Sequence, residues 1–301
     1  MLKPIAATPL QRMTVTQLTA FFVSLIEHPY SQSMLDKAFQ LLKMTFREAV
    51  KREIIRKSPL DDVRHPKAKK ATAKIRALTE TEQQRLIKVL TTEDILYSNQ
   101  MLISMLTGMR MGEVNALTVR DVDFNRHVIH VHATISKGEN SEAVLKATTK
   151  TYAGKRDIPM TPDVESILRE CIRVMQTGDM PSVGHLFHNG AGHLVPTASV
   201  NYQFTRVVLA RYPIEDEFST AMGKITLHSL RHTYATCCIE AGMPANVLQK
   251  LLGHTDIKVT MNTYADVFDR YRDREIEKVN AYMLSLGLTL DAGKASAQQQ
   301  L

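Results

Sequence analysis

Apolar periodicity organises most of this chain, and it stops at residues 57–77. That stretch, KSPLDDVRHPKAKKATAKIRA, holds Pro59 and Pro66 and crowds Lys67, Lys69, Lys70, Lys74 and Arg76 together. Proline removes a backbone donor and pushes the residue before it out of helical space, so no helix runs through. The chain therefore reads as two blocks. A partial helical domain covers 1–57, a basic linker 58–77, a larger domain 78–285, and a polar tail, expected to be disordered, 286–301.

In the first block, Thr14 or Thr16 can cap a helix that carries Leu18, Phe21, Phe22, Leu25 and Ile26 on one stripe and ends at Pro29. A second helix from about Ser31 shows Leu35, Ala38, Leu41, Leu42, Phe46, Ala49, Val50 and Ile54 at helical spacing. Its opposite face is basic, with Lys43, Arg47, Lys51 and Arg52. The larger block opens on a capping-box pattern, Thr79 and Glu82. A helix through Met101–Leu106 stops at Gly108, and a short one runs from Gly112 to Leu117. HVIHVHATI (127–135) and KRDIPM (155–160) read as strands, and Pro162 opens the next helix. LFHNGAGHLV (186–195) is turn-rich, and helices follow at about 197–210, 228–241, 244–252 and 256–264. The expected fold class is mainly α with a small antiparallel β-sheet.

Composition narrows the function classes. Hydrophobic residues at 44% support a packed core, and no apolar run approaches the roughly 18 residues of a membrane span. Met1-Leu2-Lys3-Pro4 leads into no apolar signal segment, so a cytoplasmic protein is expected. Lys+Arg 38 against Asp+Glu 31 leaves a net charge of +7, which favours a polyanionic partner. Cys171, Cys237 and Cys238 read as reduced thiols. His127, His130 and His132 share a strand, but no carboxylate or thiol at suitable spacing completes a zinc site. His185, His188 and His193 read as loop residues.

The chemistry-bearing residues fall in three segments. TGMRMGEVNAL carries Arg110 and Glu113, LHSLRHTYAT carries His228, Arg231 and His232, and LLGHTDIKVTMNTY carries His254 and Tyr264. Attack on a phosphodiester needs a nucleophile, cover for the charge that grows on two non-bridging oxygens, and a proton for the leaving alkoxide. Arginine is permanently charged and can bond two such oxygens at once. Histidine moves protons near neutral pH. Tyrosine, with a pKa of about 10 when free, needs cationic neighbours to favour its phenolate. Two arginines, two histidines and a late tyrosine meet those needs.

These segments, in this order, resemble those of the tyrosine recombinases of the phage-integrase family, and the resemblance to integrases of conjugative transposons and prophages covers about residues 14–285. It implies an integrase-like catalytic domain preceded by a short helical SAM-like core-binding domain. It implies that Tyr264 attacks the scissile phosphate to form a 3′-phosphotyrosine, that Arg110 and Arg231 hold its oxygens, and that Glu113 supports the site. His228 would be the base or proton shuttle for the tyrosine, and His254 would donate a hydrogen bond to the phosphate. The family's lysine lies on a hairpin ahead of an R-x-I-P strand. TKTYAGKRDIPM fits that pattern and points to Lys150, with Lys137, Lys146 and Lys155 as alternatives.

The resemblance further implies no cofactor and no metal, because the protein-linked phosphate conserves the bond energy. The implied partners are double-stranded recombination sites, a homotetramer assembled on DNA, and accessory excisionase or DNA-bending proteins, in a bacterial or phage setting. Lys43, Arg47, Lys67, Lys69 and Lys70 are the candidate DNA contacts. Only about 13 residues precede the first clear helix, so the leading helix or two of the core-binding domain are expected to be missing. A type IB topoisomerase-like nicking-closing enzyme and a DNA-binding fragment or regulator are the competing readings.

Overall fold

The computed structural model describes residues 2–69, 74–139, 142–147, 155–177, 184–189, 192–216, 219 and 223–288, apart from the side chains of 177, 270, 273 and 274. The chain divides into two compact units, Met1–Lys74 and Ile75–Leu301.

The first unit begins with a short α1 (Lys3–Ala6) and a 3-10 turn (Leu10–Arg12), neither of which has a sequence signal. In α2 (Val15–Glu27) the Thr14 hydroxyl accepts the Gln17 N–H while the Gln17 side chain accepts the Thr14 N–H. Leu18, Phe21, Phe22 and Leu25 of α2 pack against Leu35, Ala38, Leu42 and Phe46 of α3 (Gln32–Lys51). Each large side chain buried this way contributes about 1.5–3 kcal/mol. Leu60 and Val63 are buried in the same core. Gln32 ties the following segment to α3, donating from Nε2 to the Pro66 carbonyl (2.9 Å) and accepting the Ala68 N–H at Oε1 (2.8 Å). Much of the stretch expected as linker is thus built into this unit. Two buried apolar residues in an irregular segment make no periodic pattern to read.

The second unit is anchored at its start by Arg76, which sequence places among the exposed cations. Its side chain is buried and makes a bidentate pair with the fully buried Glu82 (2.6 and 2.8 Å). Glu82 also accepts from the Ser219 hydroxyl and the backbone N–H groups of Thr79 and Asp216. The capping box predicted at Thr79 opens α4 (Glu80–Thr92), followed by α5 (Ser98–Thr107) and α6 (Met111–Asn115).

Two small antiparallel sheets follow. One orders β1 (Val122–Asp123), β2 (Val128–Val131) and β5 (Arg156–Pro159), the other pairs β3 (Ala133–Lys137) with β4 (Ala143–Ala147). The alternating run 127–135 therefore breaks at His132 into strands of different sheets. Ile129 faces Ile158 across the first sheet, both fully buried. The histidines of the run each pair with a different carboxylate: His127 with Glu165, His130 with Asp157 (2.7 Å) and His132 with Asp121 (2.9 Å). They do not converge.

The remaining helices are α7 (Pro162–Thr177), α8 (Thr197–Gln203), which continues through a π-helical stretch (Phe204–Val208) into α9 (Leu209–Arg211), α10 (Ser229–Glu240), α11 (Ala245–Leu252), α12 (Ile257–Thr263) and α13 (Ala265–Ser285). Met101, Ile103, Met109, Val114, Leu168 and Phe204 form the main core with the two sheet isoleucines. A second cluster joins Ala235, Cys238 and Ile239 of α10 to Leu248 and Leu252 of α11 and to Tyr264. Cys171 and Cys238 are buried and Cys237 is exposed, all three as free thiols.

Candidate active site

Gly108 ends α5 at φ +68°, a left-handed conformation that favours glycine, and a Cβ there would strike the Tyr234 ring. The turn delivers Arg110 to the N-terminus of α6. The Glu113 carboxylate accepts the Arg110 backbone N–H (2.9 Å) and its Nη1 (3.0 Å), which aims a largely exposed guanidinium. Glu113 is itself 3% exposed and takes a second, bidentate pair from Arg156 Nη1 (3.1 Å) and Nη2 (2.7 Å). Arg156 Nε donates to the Leu251 carbonyl (2.7 Å). Burial alone would raise the Glu113 pKa. The hydrogen bonds and charge of Arg156, then Arg110, outweigh it and hold the carboxyl below its usual range.

Arg231, in the first turn of α10, is 2% exposed. Nη1 donates to the Gly108 carbonyl (2.7 Å), and Nη2 donates to the Leu252 carbonyl (2.6 Å) and stands 3.0 Å from His254 Nε2. One guanidinium, from the second of the segments singled out in the sequence, thus bonds the other two. Burial, then the charge of Arg110, lowers its pKa to about 9, which leaves it cationic at neutral pH.

Gly253 closes α11 in the left-handed region (φ +64°) and turns His254 toward Arg231. His254 Nδ1 lies 2.8 Å from the Thr260 hydroxyl. Because arginine can only donate, Nε2 is the acceptor and Nδ1 carries the proton. Burial, followed by the charges of Arg231, Arg110 and Arg156, lowers the His254 pKa to about 4.

Tyr264 sits at the junction of α12 and α13, its N–H donating to the Thr260 carbonyl (3.1 Å). It is 4% exposed within the second core cluster. Sequence reasoning expects the arginines to favour its phenolate. Arg231 and Arg110 do act in that direction, but burial dominates and pushes the pKa up to about 12. His228, just ahead of α10, keeps an exposed side. Its pKa is lowered first by partial desolvation and then by the charges of His232, Arg231 and Arg110.

The structure therefore brings Arg110, Glu113, His228, Arg231, His254 and Tyr264 into one unit and one neighbourhood. Lys150 lies outside the described residues, as does Lys70. Lys43, Arg47, Lys67 and Lys69 are exposed on the first unit. No role for Arg156, Thr260 or His232 is legible in the sequence. For Arg156 the signal is present as the arginine of RDIP. Among the described residues, no group of three or more His, Cys, Asp or Glu is placed to hold a metal.

The profile of the phage integrase family matches residues 76–270. The chain belongs to that family. Among curated relatives of this integrase-family chain, the transposase of transposon Tn916 from Enterococcus faecalis is 24% identical over 86% of this chain and 64% of its own length. A XerC-like tyrosine recombinase from Caldanaerobacter subterraneus is 25% identical over 88% of this chain and 70% of its own. The chain thus spans somewhat less than two thirds of the transposase it matches. Among solved structures, the Tn1549 transposon integrase in complex with a circular intermediate DNA superposes with a TM-score of 0.74 at 23% identity, covering 90% of this chain and 87% of that one. That likeness establishes the mainly helical integrase fold with its small antiparallel sheets.

Proposed function

We propose that this chain is a site-specific DNA recombinase that cuts and rejoins duplex DNA through a 3′-phosphotyrosine, in the integration and excision of a mobile element. The observation that carries the reading is Arg231, buried and bonded to the Gly108 carbonyl, the Leu252 carbonyl and His254. A buried cation costs several kcal/mol of desolvation unless compensated, so its placement there is a device for meeting negative charge. Arg110, exposed beside it, supplies the second clamp on the non-bridging oxygens, as preorganised charge stabilisation.

Tyr264 is the nucleophile. It forms the bond to phosphorus while the 5′-oxygen leaves with a proton from Lys150. Neutral His228 takes the phenolic proton, and His254 hydrogen-bonds the phosphate. Arg156 and Glu113 hold Arg110 in register, and Glu113 touches no substrate. The Tn1549 integrase structure contains a circular intermediate DNA, and by that likeness the substrate is duplex DNA carrying the joined ends of an element. The assembly is a homotetramer on DNA in a bacterial or phage-infected cytoplasm, with excisionase or DNA-bending accessory proteins. Exposed Ile276, Val279, Tyr282 and Met283 on α13 support docking of that helix on a neighbouring protomer. Among the described residues, no helix is long and apolar enough to cross a membrane.

The test is a nicked suicide duplex carrying the element's ends. A covalent adduct on a denaturing gel, absent from Tyr264→Phe, is expected. No adduct would refute the enzyme reading, and an adduct with Tyr264→Phe would refute the nucleophile. Supercoil relaxation with no recombinant product would replace it with a topoisomerase-like activity.

A further inference from the structure

His232 has no task in the reaction just proposed, yet it is the imidazole in contact with Tyr264. The two ring centroids lie 5.4 Å apart with the planes at 62°. The His228 ring also meets the His232 ring, at 4.9 Å and 89°. His228 and His232 are four residues apart, and the His232 N–H closes a helical turn on the His228 carbonyl (3.2 Å), so the backbone stacks their side chains. Tyr264 arrives from a different segment, the junction of α12 and α13. Three rings from two parts of the chain are therefore joined through His232.

Edge contacts of this kind fix the tilt and spacing of aromatic rings. The perpendicular His228–His232 arrangement sets one ring's edge against the other's face. Burial, and then Arg231, disfavours a charge on His232, so the ring can pack against the phenol without adding a cation to the site. Tyr264 is otherwise seated among Ala235, Cys238, Ile239, Leu248 and Leu252, with the partly buried Tyr234 and Phe268 packed against the same cluster.

We propose that His232 is a positioning residue for the nucleophile: its ring packs against both Tyr264 and His228, so that the phenol enters the reaction in one orientation. The inference rests on the assignment of Tyr264 as nucleophile. In the reaction the Tyr264 oxygen–phosphorus bond forms and the phosphorus–5′-oxygen bond breaks. The phenolic proton goes to His228, and the leaving 5′-oxygen takes its proton from Lys150. His232 exchanges with neither and acts only on the nucleophile's side.

The test uses the full chain, single-turnover adduct formation on the nicked duplex, and parallel measurements of DNA affinity and thermal melting. His232→Ala is expected to slow adduct formation by about 10–100-fold, the scale of a small misplacement of a reacting group, with DNA affinity unchanged. His232→Phe, which keeps the ring and both contacts, recovers most of that rate. Replacing the scissile bridging 5′-oxygen by sulfur gives a thiolate that leaves without a proton, and it leaves the His232→Ala defect in place. A parental rate in His232→Ala overturns the proposal. So does a defect that sulfur removes, which would put His232 on the leaving-group side. A defect as large in His232→Phe also overturns it, because the ring nitrogens would then be carrying a proton. If the parent forms no adduct, or Tyr264→Phe forms one, the assignment of the nucleophile fails instead.

Discussion

Arg231 Nη2 lies 3.0 Å from His254 Nε2, and because the arginine can only donate, the histidine nitrogen facing the site is an acceptor. A phosphate oxygen arriving at Arg231 cannot be bonded by that same nitrogen unless it gains a proton. The anion also offsets the charges of Arg231, Arg110 and Arg156 that, after burial, hold the His254 pKa near 4. DNA binding is therefore expected to take up a proton between about pH 4, where the free protein's imidazole titrates, and the ordinary imidazole value of about 6.5. Binding heats measured in two buffers of different ionisation enthalpy report this uptake. His254→Asn should reduce it, and equal uptake in that variant would reject His254 as the site.

The same depressed pKa has a sign for stability. His254 titrates near 4 in the fold and near the free value of 6.5 in the unfolded chain. Above 6.5 both states are neutral and the fold is unpenalised. As pH falls from 6.5 to 4 the unfolded chain binds protons that the folded protein refuses, so stability declines. Melting temperature against pH, without DNA, should fall more steeply across that window in the parent than in His254→Asn.

What is legible in the sequence and what is not divides along a physical line. Arg110, His228, Arg231, His254 and Tyr264 stand out because their chemistry resides in residue type and order. The caps at Thr14 and Thr79 and the stop at Gly108 stand out because local backbone needs set them. Arg156 shows in the sequence only as the arginine of RDIP, and its role is hidden because its partner Glu113 is 43 residues away and its other partner, the Leu251 carbonyl, 95. Arg76 reads as one more cation in a basic run until the fold sets it against Glu82. The raised pKa of Tyr264 is equally hidden, because burial in a cluster assembled from α10, α11 and α13 decides it, and charge pattern does not.

Arg76→Ala is expected to destabilise the second unit by about 3–5 kcal/mol, because it leaves Glu82 buried without its cation. Burial raises the Glu82 pKa, but Arg76, Ser219 and the Thr79 and Asp216 N–H groups outweigh it and bring it to about 2. That stabilisation is complete above the ordinary carboxylate value of 4.5 and is lost as pH falls toward 2. Denaturant unfolding at pH 7 and pH 3 checks both parts, and the gap between parent and variant should narrow at the lower pH.

Lys67 and Lys69 are exposed in the stretch that follows the buried Val63, and Lys70 adjoins them in sequence. If all three meet DNA phosphates, neutralising them to glutamine should flatten the log–log salt dependence of binding by about 0.9 per lost contact. Because phosphate contacts carry no direct base readout, preference for the element's ends over random duplex should hold. Filter binding from low to moderate salt decides, and an unchanged slope would leave the run as solvated surface.

Arg231→Ala and Arg156→Lys should differ in kind. Arg231→Ala removes a charge proposed to face the phosphate and should slow adduct formation by about 10²–10³-fold, the usual loss for one preorganised donor. Arg156→Lys keeps the charge but cannot span both Glu113 oxygens and the Leu251 carbonyl at once. Glu113 would then hold Arg110 less firmly, and the loss should be smaller, on the order of tenfold, and appear in the rate with DNA affinity intact. Single-turnover rates beside binding isotherms separate the two. If Arg156→Lys proved as slow as Arg231→Ala, Arg156 would have to meet the phosphate itself.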